Sequence, residues 1–260
     1  MNKSDSIYIA GHRGMVGSAV RRRLESEGYT NLILRSSSEL DLRDQAAVRD
    51  FFASEQPRVV IDAAARVGGI LANDRYPWQF LYDNLQIQNN LIAAAHEQEA
   101  ERFIFLGSSC IYPRNTDQPM REDALLTGPL ESTNQWYAVA KIAGVKMVEA
   151  LRRQYGRRYV SLMPTNLYGP RDNFDLETSH VLPALIRKFH EAARDDHRPV
   201  TLWGSGTPRR EFLHVDDVAD AVLFVLRTRD GARPLQRGHR QRPEHQGAGG
   251  SHPAHYGTRG

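Results

Sequence analysis

Tyr137 and Lys141 stand four apart in Tyr-Ala-Val-Ala-Lys, a spacing that puts both on one face of a helix. A phenol ordinarily titrates at about 10, and an ammonium beside it favours the phenolate. The pair therefore predicts a lowered phenol pKa and a group able to hand a proton to a developing alkoxide. Taken alone, Tyr-x-x-x-Lys is equally an ordinary surface pair. Ser108 follows the apolar run Phe103–Gly107, and a hydroxyl at the carboxyl end of a strand can hydrogen-bond a substrate carbonyl or simply cap the next turn. Cys110, the single cysteine, lies two residues further on in Ser-Ser-Cys-Ile-Tyr-Pro, and His180 opens a later helical stretch. Both exchange protons near neutral pH, so a pair on opposite faces of a ring could remove and return protons beside a ketone. A buried, inert thiol is the plain alternative. Lys188, Trp203, Arg209 and Arg210 suit a phosphorylated ligand, the arginines through a diphosphate and the indole by stacking, while solvated charge and lobe core account for them equally.

These side chains need a frame, and residues 7–17 supply its first piece. Ile7–Ala10 reads as a buried strand, Gly11, Gly14 and Gly17 as a turn, and Ser18–Glu27 as an amphipathic helix. Strand, glycine turn and helix together are a dinucleotide fingerprint, with spacing GxxGxxG. Gly11 allows the tight turn, Gly14 lets backbone approach a pyrophosphate, and Gly17 lets the helix sit close on the strand. His12, between two of these glycines, could line the cofactor cleft or be a turn residue. The second strand, Asn31–Arg35, ends in a cation rather than a carboxylate, and Arg13 lies in the turn. Two cations without a nearby carboxylate favour the 2′-phosphate of NADP, unless Arg35 is a solvated strand end.

Further along, Leu40 opens a helix through Phe52, Pro57–Ala65 is a strand, and Arg66–Ile70 is a loop. Trp78–Glu97 is a long helix, Phe103–Gly107 a strand, a helix begins near Trp136, and Tyr159–Met163 is the next strand. Alternating β and α elements imply an α/β fold, a Rossmann-like doubly wound parallel sheet. Beyond Gly169-Pro170 come a helix over Ser179–Ala193, short strands at Val200–Trp203 and Glu211–His214, and a helix over Val215–Leu226 capped by Asp216-Asp217. The expected division is residues 1–170 for the nucleotide, 171–235 for a smaller, incomplete substrate lobe, and 236–260 as an aperiodic tail without order.

Composition narrows the function classes. Charged residues make up 25% and apolar residues 40% of the 260, a globular profile. The net charge of +3 is misleading, because residues 233–260 hold five arginines (233, 237, 240, 242, 259) and one glutamate (244), leaving 3 − 4 = −1 for the rest. A basic tail is not a basic face, so nucleic acid is not an expected partner. The absence of an apolar leader or span and the lone cysteine predict a cytoplasmic protein with no membrane partner. Scattered histidines show no metal-ligand spacing.

The chain resembles the GDP-L-fucose synthases, within the extended short-chain dehydrogenase/reductase superfamily. The resemblance is carried by Ala-Gly-His-Arg-Gly-Met-Val-Gly (10–17), Ala-Ala-Ala-Arg-Val-Gly-Gly-Ile (63–70), Phe-Leu-Gly-Ser-Ser-Cys-Ile-Tyr-Pro (105–113), Tyr-Ala-Val-Ala-Lys-Ile-Ala-Gly (137–144), Met-Pro-Thr-Asn-Leu-Tyr-Gly-Pro (163–170), Asp-Asn-Phe with Ser-His-Val (172–174, 179–181), and Trp-Gly-Ser-Gly-Thr-Pro with Arg-Glu-Phe-Leu-His-Val-Asp-Asp (203–217). It implies NADPH-dependent conversion of GDP-4-keto-6-deoxy-D-mannose to GDP-L-fucose, by 3,5-epimerisation and then reduction of the 4-ketone. By resemblance, Ser108, Tyr137 and Lys141 are the reductase triad, and Cys110 with His180 the epimerisation pair. Gly11, His12, Arg13, Gly14, Met15, Val16, Gly17, Arg35, Leu106, Gly107, Lys141, Met163, Pro164, Thr165, Asn166 and His180 would contact NADP(H). Lys188, Trp203 and Arg210 would contact the GDP-sugar. Lys188 stands where the family has arginine, which keeps charge but loses the bidentate fork. A homodimer built on the two long helices is also implied. Past Leu235 the sequence departs from the family and turns to Arg, Gly, His, Pro and Gln, as a reading-frame shift would produce. The resulting expectation is weak or absent activity for this chain.

Overall fold

The structure, a computed structural model, describes residues 1–194, 199–202 and 209–228. Trp203 and the tail from residue 236 lie outside the described residues.

Five short strands form a parallel sheet: β1 (Ile7–Ala10), β2 (Leu32–Ile33), β3 (Val59–Asp62), β4 (Arg102–Leu106) and β5 (Arg158–Leu162), in the order β2-β1-β3-β4-β5. Strand growth reverses between β1 and β3, the switch point outside which open α/β sheets bind ligands. Near-continuous apolar strands such as Ile-Tyr-Ile-Ala require cover on both faces, because successive side chains alternate. Tyr8, Val60, Phe103, Phe105 and Tyr159 face α2 (Gln45–Glu55), α4 (Pro77–Glu97) and α5 (Gln135–Tyr155). Ile7, Ile9, Val59, Ile61 and Ile104 face α1 (Met15–Ser26) and α7 (Val215–Arg227). The doubly wound sheet expected from the pattern is therefore present. The remaining elements are α3 (Ile70–Arg75), α6 (Val181–Arg194) and a second parallel pair, β6 (Asn166–Tyr168) with β7 (Phe212–His214), which forms a separate, smaller sheet toward the C-terminus.

Several local expectations change. Helix α2 starts at Gln45 rather than Leu40, because the Asp44 carboxylate accepts from the Ala47 amide and so caps the helix there. Helix α7 is capped not by Asp216-Asp217 but by His214, whose Nδ1 accepts from the Asp216 amide at 3.3 Å; the two aspartates occupy its first turn. Residues 199–202 form no strand. Residues 215–227, grouped with the substrate lobe from sequence, pack on the sheet: Val215, Ala219, Val222, Leu223 and Leu226 are buried with α1. Among the described residues no helix is long and apolar enough to cross a membrane.

Candidate active site

The glycine turn carries two kinds of glycine. Gly11 has φ +75°, and a Cβ there would lie 2.6 Å from Ala63 O; one on Gly17 would lie 2.2 Å from Gly11 O. Both are required by the protein's own backbone. A Cβ on Gly14 would meet only Gly11 O, at 3.4 Å, so the space beside it is open. Gly14 is also the N-cap of α1 without any side-chain cap, and the first turn holds no acidic residue. Unpaired amides beside an open cradle fit a dinucleotide pyrophosphate. Met15 and Val16 are the first helical residues, and Arg13 is exposed beside them.

Arg35 is not free of carboxylates, contrary to expectation. Its guanidinium pairs with Glu55 and donates to Leu34 O at 3.0 Å, and Glu39 accepts from both the Ser36 amide and hydroxyl, at 2.7 and 2.6 Å. Those hydrogen bonds, helped by Arg35 and Arg13, hold the Glu39 carboxyl below its usual range. Neither glutamate stands on the strand end, where sequence inspection looks for a ribose-binding acid.

At the carboxyl ends of β3 and β4 the structure gathers Ser108, Cys110, Tyr137 and Lys141. Ser108 caps a 3-10 turn, Ser109–Ile111, by accepting from the Cys110 amide at 3.4 Å. Leu106 and Gly107 join this turn to β5 through Gly107 N to Leu162 O, 2.8 Å, and Ser109 N to Pro164 O, 3.1 Å. Helix α5 lies close on β4 because Gly144 leaves room for the Phe105 ring. That approach lets Lys141, 3% exposed, donate from Nζ to Leu106 O at 2.8 Å, with Nζ 4.7 Å from the Phe105 ring centre and 5.8 Å from that of Tyr137. Gln88 of α4 donates to Ala140 O at 2.6 Å, tying the same turn of α5 to its neighbour.

Burial dominates the electrostatics. It pushes the Tyr137 phenol up, with Cys110 and Asp62 adding to the effect, so the expected lowering is not found in the cofactor-free protein. The phenol keeps its proton, the form a proton donor needs. Burial likewise raises the Cys110 thiol, against the Ser108 hydrogen bond and Lys141, and lowers Lys141, against Asp62 and Cys110.

The backbone just before His180 is held against loop 63–70. Gly69 N donates to Thr178 O at 2.8 Å, and a Cβ on Gly69 would lie 2.4 Å from Ser179 O. A Cβ on Gly68 would meet Phe80 at 3.1 Å, and the Phe80 ring meets Tyr137 edge-on at 6.5 Å. Loop 63–70 is held in turn by Asn84, which accepts from Arg66 N at 2.8 Å and donates to Arg66 O at 3.0 Å. Burial pulls the His180 imidazole down, against Asp172, leaving it neutral at pH 7. Met163, Pro164 and Thr165 run beside the Ser109 turn into β6, where Asn166 donates to Glu211 O at 3.0 Å. His12 carries a buried Nδ1 with no hydrogen-bond partner among the described residues. The diphosphate candidates are not gathered with these groups: Arg210 is exposed and donates to Arg209 O, and Lys188 lines a groove of about 310 Å³ with Leu176, Pro199 and Thr201.

One member was missed in the sequence. Asp62, at the end of β3, is 1% exposed, and burial pushes its carboxyl up to about 6. Its signal was an aspartate closing an otherwise apolar strand, Val-Val-Ile-Asp. The Gly68-Gly69 contact with residues 178–179 had no sequence signal beyond two adjacent glycines.

The family model described as the NAD dependent epimerase/dehydratase family matches residues 7–236. The chain belongs to that family. It is thus an enzyme of the epimerase branch of the short-chain dehydrogenase/reductases. Among its relatives are the putative GDP-L-fucose synthase 2 of Arabidopsis thaliana, 58% identical over 226 residues (87% of this chain and 69% of that one), and the GDP-L-fucose synthase of Escherichia coli K12, 58% identical over 220 residues (85% and 68%). A solved GDP-mannoheptose C4 reductase from Campylobacter jejuni with NADP bound is 37% identical at TM-score 0.80, covering 87% of this chain and 76% of that one.

Proposed function

We propose that this epimerase-family enzyme uses NADP(H) to convert GDP-4-keto-6-deoxy-D-mannose to GDP-L-fucose. The observation that carries this reading is Cys110 inside the reductase cluster, its amide on Ser108 Oγ and its thiol within electrostatic reach of Tyr137 and Lys141. A simple C4 reductase needs the serine, tyrosine and lysine but no thiol. The 58% identity to two GDP-L-fucose synthases supports the same substrate.

The cofactor supplies a hydride to C4 of the sugar. The open cradle at Gly14 and the α1 amides receive its pyrophosphate, and Arg13 with Arg35 meets the 2′-phosphate, Glu55 giving up Arg35 on binding. Ser108 and Tyr137 hydrogen-bond the C4 oxygen. While that oxygen is polarised, the protons at C3 and C5 are acidic, and Cys110 and His180 stand to remove and return them. A neutral thiol can give its proton while the unprotonated nitrogen of a neutral imidazole takes one, and the thiolate and imidazolium left behind can then act in the reverse sense at the second carbon. After inversion at both carbons, Tyr137 passes its proton to the C4 oxygen as the hydride arrives, and Lys141 offsets the charge left on the phenol oxygen.

Lys188, Trp203 and Arg210 remain proposed contacts for the GDP-sugar. Pairing of two copies through α4 and α5 is supported by the exposed Trp78, Tyr82, Trp136 and Val139 on those helices. The family match ends at residue 236, where the composition changes. The test is NADPH oxidation by the full chain supplied with GDP-4-keto-6-deoxymannose, with product stereochemistry read by NMR. GDP-L-fucose supports the assignment. A C4-reduced product without inversion at C3 and C5 points instead to a C4 reductase. No turnover, even after residues 236–260 are replaced by a relative's C-terminal segment, refutes the assignment.

A further inference from the structure

Lys141 is a long amine buried almost completely, yet its one hydrogen bond among the described residues is to a neutral carbonyl, Leu106 O. An ammonium so placed needs an opposing charge. The parallel register sets Asp62 directly beside Phe105, on the face of the sheet that α5 covers, and Lys141 Nζ lies over that same Phe105 ring. The carboxylate and the ammonium thus flank one side chain. Asp62 Oδ1 accepts from the Ala64 amide at 3.1 Å, and Oδ2 is buried with no hydrogen-bond partner among the described residues. An unpaired buried carboxyl oxygen costs stability, and packing alone gives no reason for one here.

We propose that Asp62 is a positioning residue for the reductase site, the buried counter-charge that keeps Lys141 an ammonium beside Tyr137. The proposal rests on the reading above, in which Lys141 serves the proton transfer of Tyr137.

The groups facing this pair are few. Tyr8 from β1, Tyr137 from α5 and Cys110 beyond β4 all hold their protons at pH 7, because burial raises each of them; Tyr8 also feels Arg35, which works against that rise. Among the described residues, Asp62 and Cys110 are the anion-forming groups whose charge reaches Lys141. With the thiol protonated, Asp62 acts alone. Its carboxyl titrates at about 6, so the support is present at neutral pH and is withdrawn in acid.

The test uses the full chain in two measurements. Lysine labelled with ¹³C at the ε carbon reports the Lys141 titration by NMR in cofactor-free protein, with Lys141→Arg identifying the resonance. The pH profile of NADPH oxidation with GDP-4-keto-6-deoxymannose reports its consequence. In Asp62→Asn the Lys141 titration should move to lower pH, and the alkaline limb of turnover should follow, leaving the variant about tenfold slower than wild type at a pH on the wild-type limb. Asp62→Glu should restore part of both. In the wild-type protein the Lys141 resonance should also show a step as Asp62 protonates near pH 6. That step needs no variant to fold. A lysine titration unchanged by Asp62→Asn, or no wild-type step, overturns the proposal. A lysine that responds in a wild-type protein without turnover upholds the electrostatic pairing and refutes only the proposed function.

Discussion

The ring of Phe105 occupies the space that a side chain on Gly144 would need: a Cβ there would lie 2.3 Å from the ring's Cζ. This contact sets how closely α5 lies on β4, and so where Tyr137 and Lys141 stand relative to Ser108. Gly144→Ala should overpack a core in which Phe105 is fully buried, at about 1–3 kcal/mol, against about 1 kcal/mol of gain in helix propensity. The expected result is a lower Tm, with turnover reduced further than the stability loss explains. An unchanged Tm would show that the ring has somewhere else to go.

Gly14 and Gly17 should respond differently to the same change. Gly17→Ala puts a methyl group against Gly11 O and is expected to destabilise the fold; Gly14→Ala meets only a 3.4 Å contact and should leave Tm nearly unchanged. If the open space at Gly14 belongs to the cofactor, Gly14→Ala should still weaken NADPH binding about tenfold or more, read by fluorescence titration. Equal loss of stability in both would contradict the distinction.

Tyr137→Phe removes the proposed proton donor while keeping the ring against Phe80. Turnover should fall about 10²- to 10⁴-fold with NADPH affinity retained, as measured by steady-state kinetics and direct binding. Burial raises the wild-type phenol, so no loss from phenol ionisation should appear below its ordinary value of about 10 in the cofactor-free protein.

Cys110→Ser and His180→Asn should separate the two halves of the reaction. In D₂O with substrate and without NADPH, the wild-type protein should exchange protons at C3 and C5, and each variant should lose most of that exchange. Burial holds the His180 imidazole below its usual range, so exchange should persist on the acid side until below the ordinary histidine pKa of about 6.5. An acid limb above that value would place His180 in a different environment.

Asp62 should also leave a mark on stability. Its folded pKa, about 6, stands above the unfolded value of 3.8, so its contribution is full below about pH 4 and is lost as pH rises through about 6. Denaturant unfolding of Asp62→Asn relative to wild type should therefore shift in the variant's favour between those values and level off above them. A difference that does not vary with pH would mean the carboxyl is not raised in the folded protein.

What the sequence by itself determined is local. Strand, glycine turn and helix over residues 7–26 follow from backbone freedom and hydrophobic period within one short stretch, and the four-residue spacing of Tyr137 and Lys141 sets their shared face whatever surrounds them. Alternation of apolar strands with helices likewise made the parallel sheet legible. The boundary that moved, at Asp44, and the cap that changed, at His214, depended on side-chain capping bonds that several nearby polar residues could have made. Only the tertiary structure decided which distant groups meet. Asp62 stands beside Lys141 because β3 pairs with β4, Gly69 takes the backbone before His180, and Arg35 finds Glu55 twenty residues away. Burial, which raises Tyr137 where spacing alone predicted a lowering, comes from the packing of α4 and α5 on the sheet. Desolvation and long-range charge depend on strand order and close approach, which no periodicity along the chain encodes.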